Sequence, residues 1–181
     1  VAAIKRNNES IIPRGDDHIE EGDIVSVDLC AYKNGFHGDG ARTFCIGEVS
    51  EERKKLVRVT EECFFKAIDG LKAGTPLYDI GYRVQQHAES NGFSVIRAYT
   101  GHGIGREMHE DPSVPNYGRK GTGVRLPANC VICIEPMIAA GGFRVNVLSD
   151  GWTAVTRDKK SAAHYENTVV VRENGVEILT L

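Results

Sequence analysis

The sequence predicts an α+β fold: a mainly antiparallel sheet with at least two covering helices. Three observations carry this. Short apolar runs separated by turn residues fill much of the chain. Two stretches between 50 and 91 place apolar residues at helical spacing. Asn34–Gly35 joins two strand-like runs as a two-residue hairpin. A chain of 181 residues suits one domain, and 1–181 is read as one.

Residues 24–31 (IVSVDLCA) read as the first clear strand, and 36–46 as its return. Ser50 caps a helix with Glu51 and Glu52 in its first turn. Leu56, Val59, Cys63, Phe64, Ala67, Ile68 and Leu71 form its stripe, and Gly74 ends it. Thr75–Pro76 restarts a second helix, with Pro at the first helical position. Leu77, Ile80, Val84 and Ala88 are its stripe, and Asn91–Gly92 stops it. A short strand at 93–99 leads into a glycine-rich turn, GHGIG. Segment 110–130 reads as an ordered loop. Further strands are expected at about 131–139, 143–148, 152–156, 163–171 and 176–180, with bounds good to about two to four residues.

Composition excludes several classes. Hydrophobic residues are 41% and charged residues 26%, as in ordinary globular chains and unlike disordered ones. Twenty-two basic against twenty-five acidic side chains leave a net charge of −3, with no excess to neutralise a nucleic-acid backbone. No apolar run approaches the ~20 residues of a membrane span, and no signal peptide opens the chain. Five dispersed cysteines in apolar surroundings read as buried structural thiols of a reducing compartment, the cytoplasm. Cys130 and Cys133 match C-x-x-C, but i and i+3 of a strand point to opposite faces.

The anomaly is the acids. Asp28 interrupts VSVDLC, Glu135 interrupts VICIEPMI, Glu166 precedes a run of valines, and Asp39 lies on the return strand. Ionised carboxylates in such strands need a counter-charge. Arg42 is the nearest basic side chain in these strands. By strand parity Ser26, Asp28 and Cys30 share one face, and His37 and Asp39 share a face of the neighbouring strand. A divalent metal cluster would neutralise several acids at once, and His102 in GHGIG is the available imidazole. Oxygen ligands with one imidazole suit manganese, iron, cobalt or zinc. A pair of such ions suits amide hydrolysis. His109 could donate a hydrogen bond in the same site. His18 reads as solvated and His87 as structural. His164 shares a strand face with Glu166, which opens a supporting role. Neither GHGIG nor GRKGTG completes a phosphate-loop motif.

The stretches GDIVSVDLCAYKNGFHGDGARTF, GFSVIRAYTGHGIGREMHEDPSVPNYG, IEPMIAAG, DGWTAVTRDKKSAAHYENT and VEILTL, taken in order, resemble the type I methionine aminopeptidases of the pita-bread fold. The resemblance runs from about residue 20 to the C-terminus. It implies metallopeptidase chemistry: removal of the N-terminal methionine of nascent proteins and peptides by a hydroxide held between two divalent ions. It makes Asp28, Asp39, His102, Glu135 and Glu166 the metal ligands, with Asp39 and Glu166 bridging. Glu135 would also take a proton from the bridging water, and His109 would contact the scissile carbonyl. Met108 and Trp152, with His109, would help line the substrate site. The partner implied is a polypeptide N-terminus, with the ribosome behind it, and the chain is expected to be a monomer.

Three departures stand out. The family's upstream H-G-I-P segment corresponds to NNESIIPRGDD here, where Ser10, Ile11, Ile12 and Pro13 supply no histidine. Y-E-N-T at 165–168 stands in place of Y-E-H-T. The family's N-terminal helices have no counterpart in the sequence. Two alternatives follow: a weakly active or non-catalytic relative that binds polypeptides, and an enzyme like prolidase or aminopeptidase P.

Overall fold

The computed structural model describes residues 2–6, 9–11 and 18–180. A long sheet runs in the order β10 (Val145–Val147), β11 (Ala154–Thr156), β2 (Glu9–Ile11), β1 (Ala2–Arg6), β3 (Ile24–Lys33), β4 (Phe36–Cys45), β13 (Glu166–Arg172), β8 (Val131–Ile134), β6 (Gly101–Gly103) and β7 (Glu110–Val114). β14 (Gly175–Ile178) takes over from β4 along one edge of β13. A second sheet orders β12 (Ala162–His164), β9 (Met137–Ala139) and β5 (Ser94–Val95). Every recorded strand pair is antiparallel. Helices α1 (Glu51–Ile68) and α2 (Tyr78–Ser90) pack on each other and on the sheets.

The β3–β4 hairpin forms because Asn34 and Gly35 both adopt positive φ, 53° and 85°. That is the requirement of a turn whose twist matches the strands. Ser50 accepts a hydrogen bond from the Arg53 N–H and caps α1. The expected stripe is the buried one: Leu56, Val59, Cys63, Phe64 and Ala67 from α1 join Ile80, Val84 and Ala88 from α2. They pack with Ile132 and Ile134 of β8 and Val169 and Val171 of β13. The β8–β13 register sets Asn167 opposite Ile134 and Val169 opposite Ile132, so these residues share the face turned to the helices.

Several expectations need correction. Pro76 does not start α2. It bridges to Arg125, and the N–H groups of Leu77 and Tyr78 donate to the Val124 and Thr122 carbonyls, so the helix begins at Tyr78. GHGIG is no turn at its start, since Gly101–Gly103 is strand β6. A Cβ on Gly101 would collide with the Cys133 carbonyl, and one on Gly103 with the Asp111 carbonyl. The glycines therefore serve close strand approach. Segment 110–130 contributes strand β7, and 131–139 is two strands interrupted at Glu135–Pro136. The strand expected at 93–99 contracts to Ser94–Val95.

The cysteines also differ from expectation. All five are free, but Cys45 is exposed and Cys30 only half-buried. Cys30 lies directly opposite Asp39 in the β3–β4 register, on the face of the acids. Cys63 and Cys133 are buried as expected, Cys63 within the helix core, where burial pushes its thiol up to about 12.

Candidate metal centre

Antiparallel register assembles the acids. Ala41 of β4 pairs with Asp28 on one side and with Glu166 on the other. Three strands thus set Asp28, Ala41 and Glu166 in a row on one face. The small side chain of Ala41 leaves room between the two carboxylates. Thr168 pairs with Cys133 one step further along, and Asp39 pairs with Cys30. Glu135 follows β8 directly, and His102 comes from the middle of β6.

The acids are deep. Asp39, Glu135 and Glu166 are all buried, Glu166 to 2% exposure, and Asp28 is partly buried. His102 Nε2 lies 3.6 Å from Glu135 Oε1. His164 Nε2 lies 3.5 Å from Glu135 Oε2 and 3.9 Å from Glu166 Oε2, and its Nδ1 is 3.9 Å from Asp28 Oδ2. Two triads of potential ligands result, His102–Cys133–Glu166 and Asp28–His164–Glu166, each with its donor atoms within 4.8 Å of one another. Glu166 belongs to both.

The backbone beneath these groups is pinned. The Asp39 N–H donates to Thr168 Oγ1, and the Thr168 and Thr180 hydroxyls both donate to the Asp39 carbonyl. Asn116 Nδ2 donates to the Glu135 carbonyl. Arg42 does not answer the acids. Its guanidinium donates to the Ala41 and Glu166 carbonyls and to Asn167 Oδ1, and stacks over Tyr165 at 4.1 Å. Asn167 alternates with Glu166 along β13 and so faces the helices.

The electrostatics follow from this arrangement. Burial pushes the Glu166 carboxyl well above its usual range, and the charges of Glu135, Asp39 and Asp28 push it the same way. Burial also raises the Cys133 thiol, and the Glu166 charge adds to that. Burial lowers His102, against an opposing hydrogen bond to Gly103 O and the pull of nearby acids. His102 Nδ1 is 2.8 Å from the Gly103 carbonyl. A neutral ring donating there presents the lone pair of Nε2 toward Glu135.

The residues present fit divalent cations. Glu166 Oε1 is buried with no hydrogen bond among the described residues. His102 and Glu135 approach at ligand-to-ligand spacing, beyond the ~2.7–2.9 Å of a charged hydrogen bond. The donor set is carboxylate, imidazole and thiol.

Among the other expected residues, His109 stands exposed at the rim, with its ring 4.4 Å from that of His102. Met108 is half-buried beside it in the chain. Trp152 is 59% exposed at the tip of the β10–β11 hairpin, and its N–H donates to Asp150. Among the described residues its backbone N–H meets Asp150 in the hairpin, not one of the clustered acids. Ser10 and Ile11 lie in β2, whereas Ile12 and Pro13 fall outside the described residues. His18 is exposed, and His87 Nε2 meets Glu62 at 2.8 Å, away from the acids. Sequence reasoning underplayed His164, Cys30 and Cys133. The signal was there in strand parity, because each stands two residues from an acid: Glu166, Asp28 and Glu135 respectively.

A curled antiparallel sheet carrying crowded carboxylates and imidazoles on the face away from its helices defines a metallohydrolase class. The chain belongs to metallopeptidase family M24, whose model matches residues 1–173. Within that family it is similar to a methionine aminopeptidase of Clostridium perfringens, at 55% identity over 92% of this chain and 67% of the relative. It is also similar to methionine aminopeptidase 1 of Bacillus subtilis, at 45% identity over 90% of this chain and 65% of the relative. The solved methionine aminopeptidase of Thermotoga maritima superposes with a TM-score of 0.96 at 49% identity, covering 99% of this chain and 73% of that one. A prolidase of Pyrococcus furiosus shares the fold at a TM-score of 0.73 and 26% identity, covering 92% and 44%. The chain spans about two thirds of the length of the curated relatives it matches. No helix among the described residues is long and apolar enough to cross a membrane.

Proposed function

We propose that this chain carries the metal-binding region of a methionine aminopeptidase, and that the protein removes N-terminal methionine from peptides and nascent chains. The observation that carries the reading is the row Asp28–Ala41–Glu166, with Asp39, Glu135 and His102 converging on the same face and the donor atoms of Asp28, His164 and Glu166 within 4.8 Å of one another. Asp28, Asp39, His102, Glu135 and Glu166 would hold two divalent ions, of manganese, iron, cobalt or zinc. When bound, such ions polarise a carbonyl and make water nucleophilic near neutral pH.

The chain's own groups do the rest. Glu135 sits at the site's centre, where its carboxylate can accept a proton from the attacking water and return it to the leaving amine. His109, whose ring lies 4.4 Å from that of His102, would donate to the scissile carbonyl oxygen as charge develops there. A free α-amine that approached one of the ions would restrict the chemistry to a chain end. Met108, half-buried next to His109 in the chain, would help line the pocket for the substrate side chain. Trp152 is a weaker candidate in this structure. The similarity at 45–55% identity to methionine aminopeptidases, against 26% to a prolidase, favours methionine over proline-linked substrates. Nascent chains make the ribosome a transient partner. The five free cysteines fit a reducing cytoplasm.

The test is methionine release from Met-Ala-Ser by metal-free protein, before and after Mn²⁺, Co²⁺ or Fe²⁺ is restored. Release that appears only with the ion supports the reading. Absence of release from folded, metal-loaded protein overturns the activity. His102→Ala is expected to lower bound-metal stoichiometry, and unchanged stoichiometry removes His102 from the ligand set.

A further inference from the structure

We infer that His164 is a second imidazole ligand of this metal centre, so that each half of the site has one histidine. The inference rests on the metallopeptidase reading above and goes beyond its five ligands. His164 is 2% exposed and ends β12, where its N–H donates to Thr43 Oγ1 and its carbonyl accepts from the same hydroxyl. Both ends of its peptide environment are therefore fixed, and the ring is held against three carboxylates.

Its spacing matches that of the assigned histidine. His102 Nε2 stands 3.6 Å from Glu135 Oε1, and His164 Nε2 stands 3.5 Å from Glu135 Oε2 on the other side of the same carboxylate. These distances, with 3.9 Å from Nε2 to Glu166 Oε2, exceed charged hydrogen bonds at ~2.7–2.9 Å. They suit donors that share an ion, since two ligands each about 2.1 Å from one centre stand about 3–4 Å apart. The buried Glu166 carboxylate, whose Oε1 has no hydrogen bond among the described residues, links the two triads. One triad carries His102, the other His164. With Nε2 ligating, the Nδ1–H of His164 faces Asp28, the carboxylate–histidine arrangement that orients a metal-bound ring. The competing role is a protonated His164 acting as internal counter-cation, and it makes the opposite prediction for metal affinity.

The experiment loads the full chain with Co²⁺ to saturation and counts hyperfine-shifted, solvent-exchangeable imidazole N–H signals by proton NMR. Co²⁺ affinity is measured by calorimetry in parallel. Two signals are expected, one lost in His102→Gln and the other in His164→Gln. His164→Gln should also weaken one Co²⁺ by about ten-fold or more. A single signal in the unsubstituted protein overturns the inference. So does His164→Gln binding Co²⁺ equally or more tightly, the latter being the result for a counter-cation. Failure of the unsubstituted protein to bind Co²⁺ at all overturns the metallopeptidase reading and this inference together, whereas one signal with normal binding overturns this inference alone.

Discussion

The two faces of β13 obey opposite rules. Toward the helices, Val169 and Val171 lie in a continuous apolar core with Leu56, Phe64 and Val84, and Asn167 is met by Arg42. Toward the other side, Glu166 meets the like charges of Glu135, Asp39 and Asp28, with His102 and His164 set between them. One strand thus carries an apolar face packed on the helices and a face of crowded carboxylates and imidazoles. Stability belongs to the first face and ligand binding to the second. Substitutions on the two sides should therefore separate the two properties.

The largest expected effect is on the second face. Glu166→Gln removes the carboxylate common to both ligand triads, and Co²⁺ affinity should fall by about 100-fold or more, read by calorimetry. The same substitution should leave the metal-free fold intact or make it more stable. The folded-state pKa of Glu166 is raised, so the native state holds its proton to higher pH than the unfolded chain does. The contribution of Glu166 to metal-free stability is thus greatest below its unfolded value, near 4.5, and declines as pH rises through the folded value. Urea midpoints of metal-free protein should fall across that window, and Glu166→Gln should flatten the slope. An unchanged slope would show that the carboxylate crowding is relieved elsewhere.

On the helix face the converse is expected. Leu56 is fully buried between α1 and the sheet, and Leu56→Ala should cost about 2–5 kcal/mol in denaturant unfolding. Co²⁺ stoichiometry of the folded fraction should stay unchanged. Loss of an ion from that fraction would mean that the two faces are mechanically coupled.

How far the chain order revealed these faces depended on the range of the interaction. The β3–β4 hairpin was legible because Asn34–Gly35 decides it locally, and α1 because its cap and stripe lie within one segment. The four acids among the proposed metal ligands were legible because acids in apolar strands are anomalous wherever the strands go, and His102 as the available imidazole, while their roles came from the family resemblance. Residue types that look ordinary in a strand were not. Cys133 fits a buried strand on composition, and only the pairing of β13 with β8 brings it to Glu166, whereas parity already set His164 on the face of Glu166 without showing its approach to Glu135 and Asp28. Pro76 misled because a local preference for a helix start yielded to a non-local bridge with Arg125.

Arg42 offers the sharpest test of the division, since it touches both sides of it. Its side chain lies on the helix face over Tyr165, yet it holds the carbonyl of Glu166, the backbone from which the acid projects. Arg42→Met keeps much of the apolar stem and leaves the Ala41 and Glu166 carbonyls and Asn167 Oδ1 short of a donor. The cost should be about 1–3 kcal/mol, less than for Leu56→Ala, because the pair is only partly buried and water can reach some of it. If Arg42 serves only the fold, Co²⁺ affinity of the folded variant will match that of the parent. A several-fold loss of affinity with stoichiometry preserved would show that the helix face positions Glu166 for the ions. That result would move Arg42 from the structural side of the comparison to the functional one without making it a ligand.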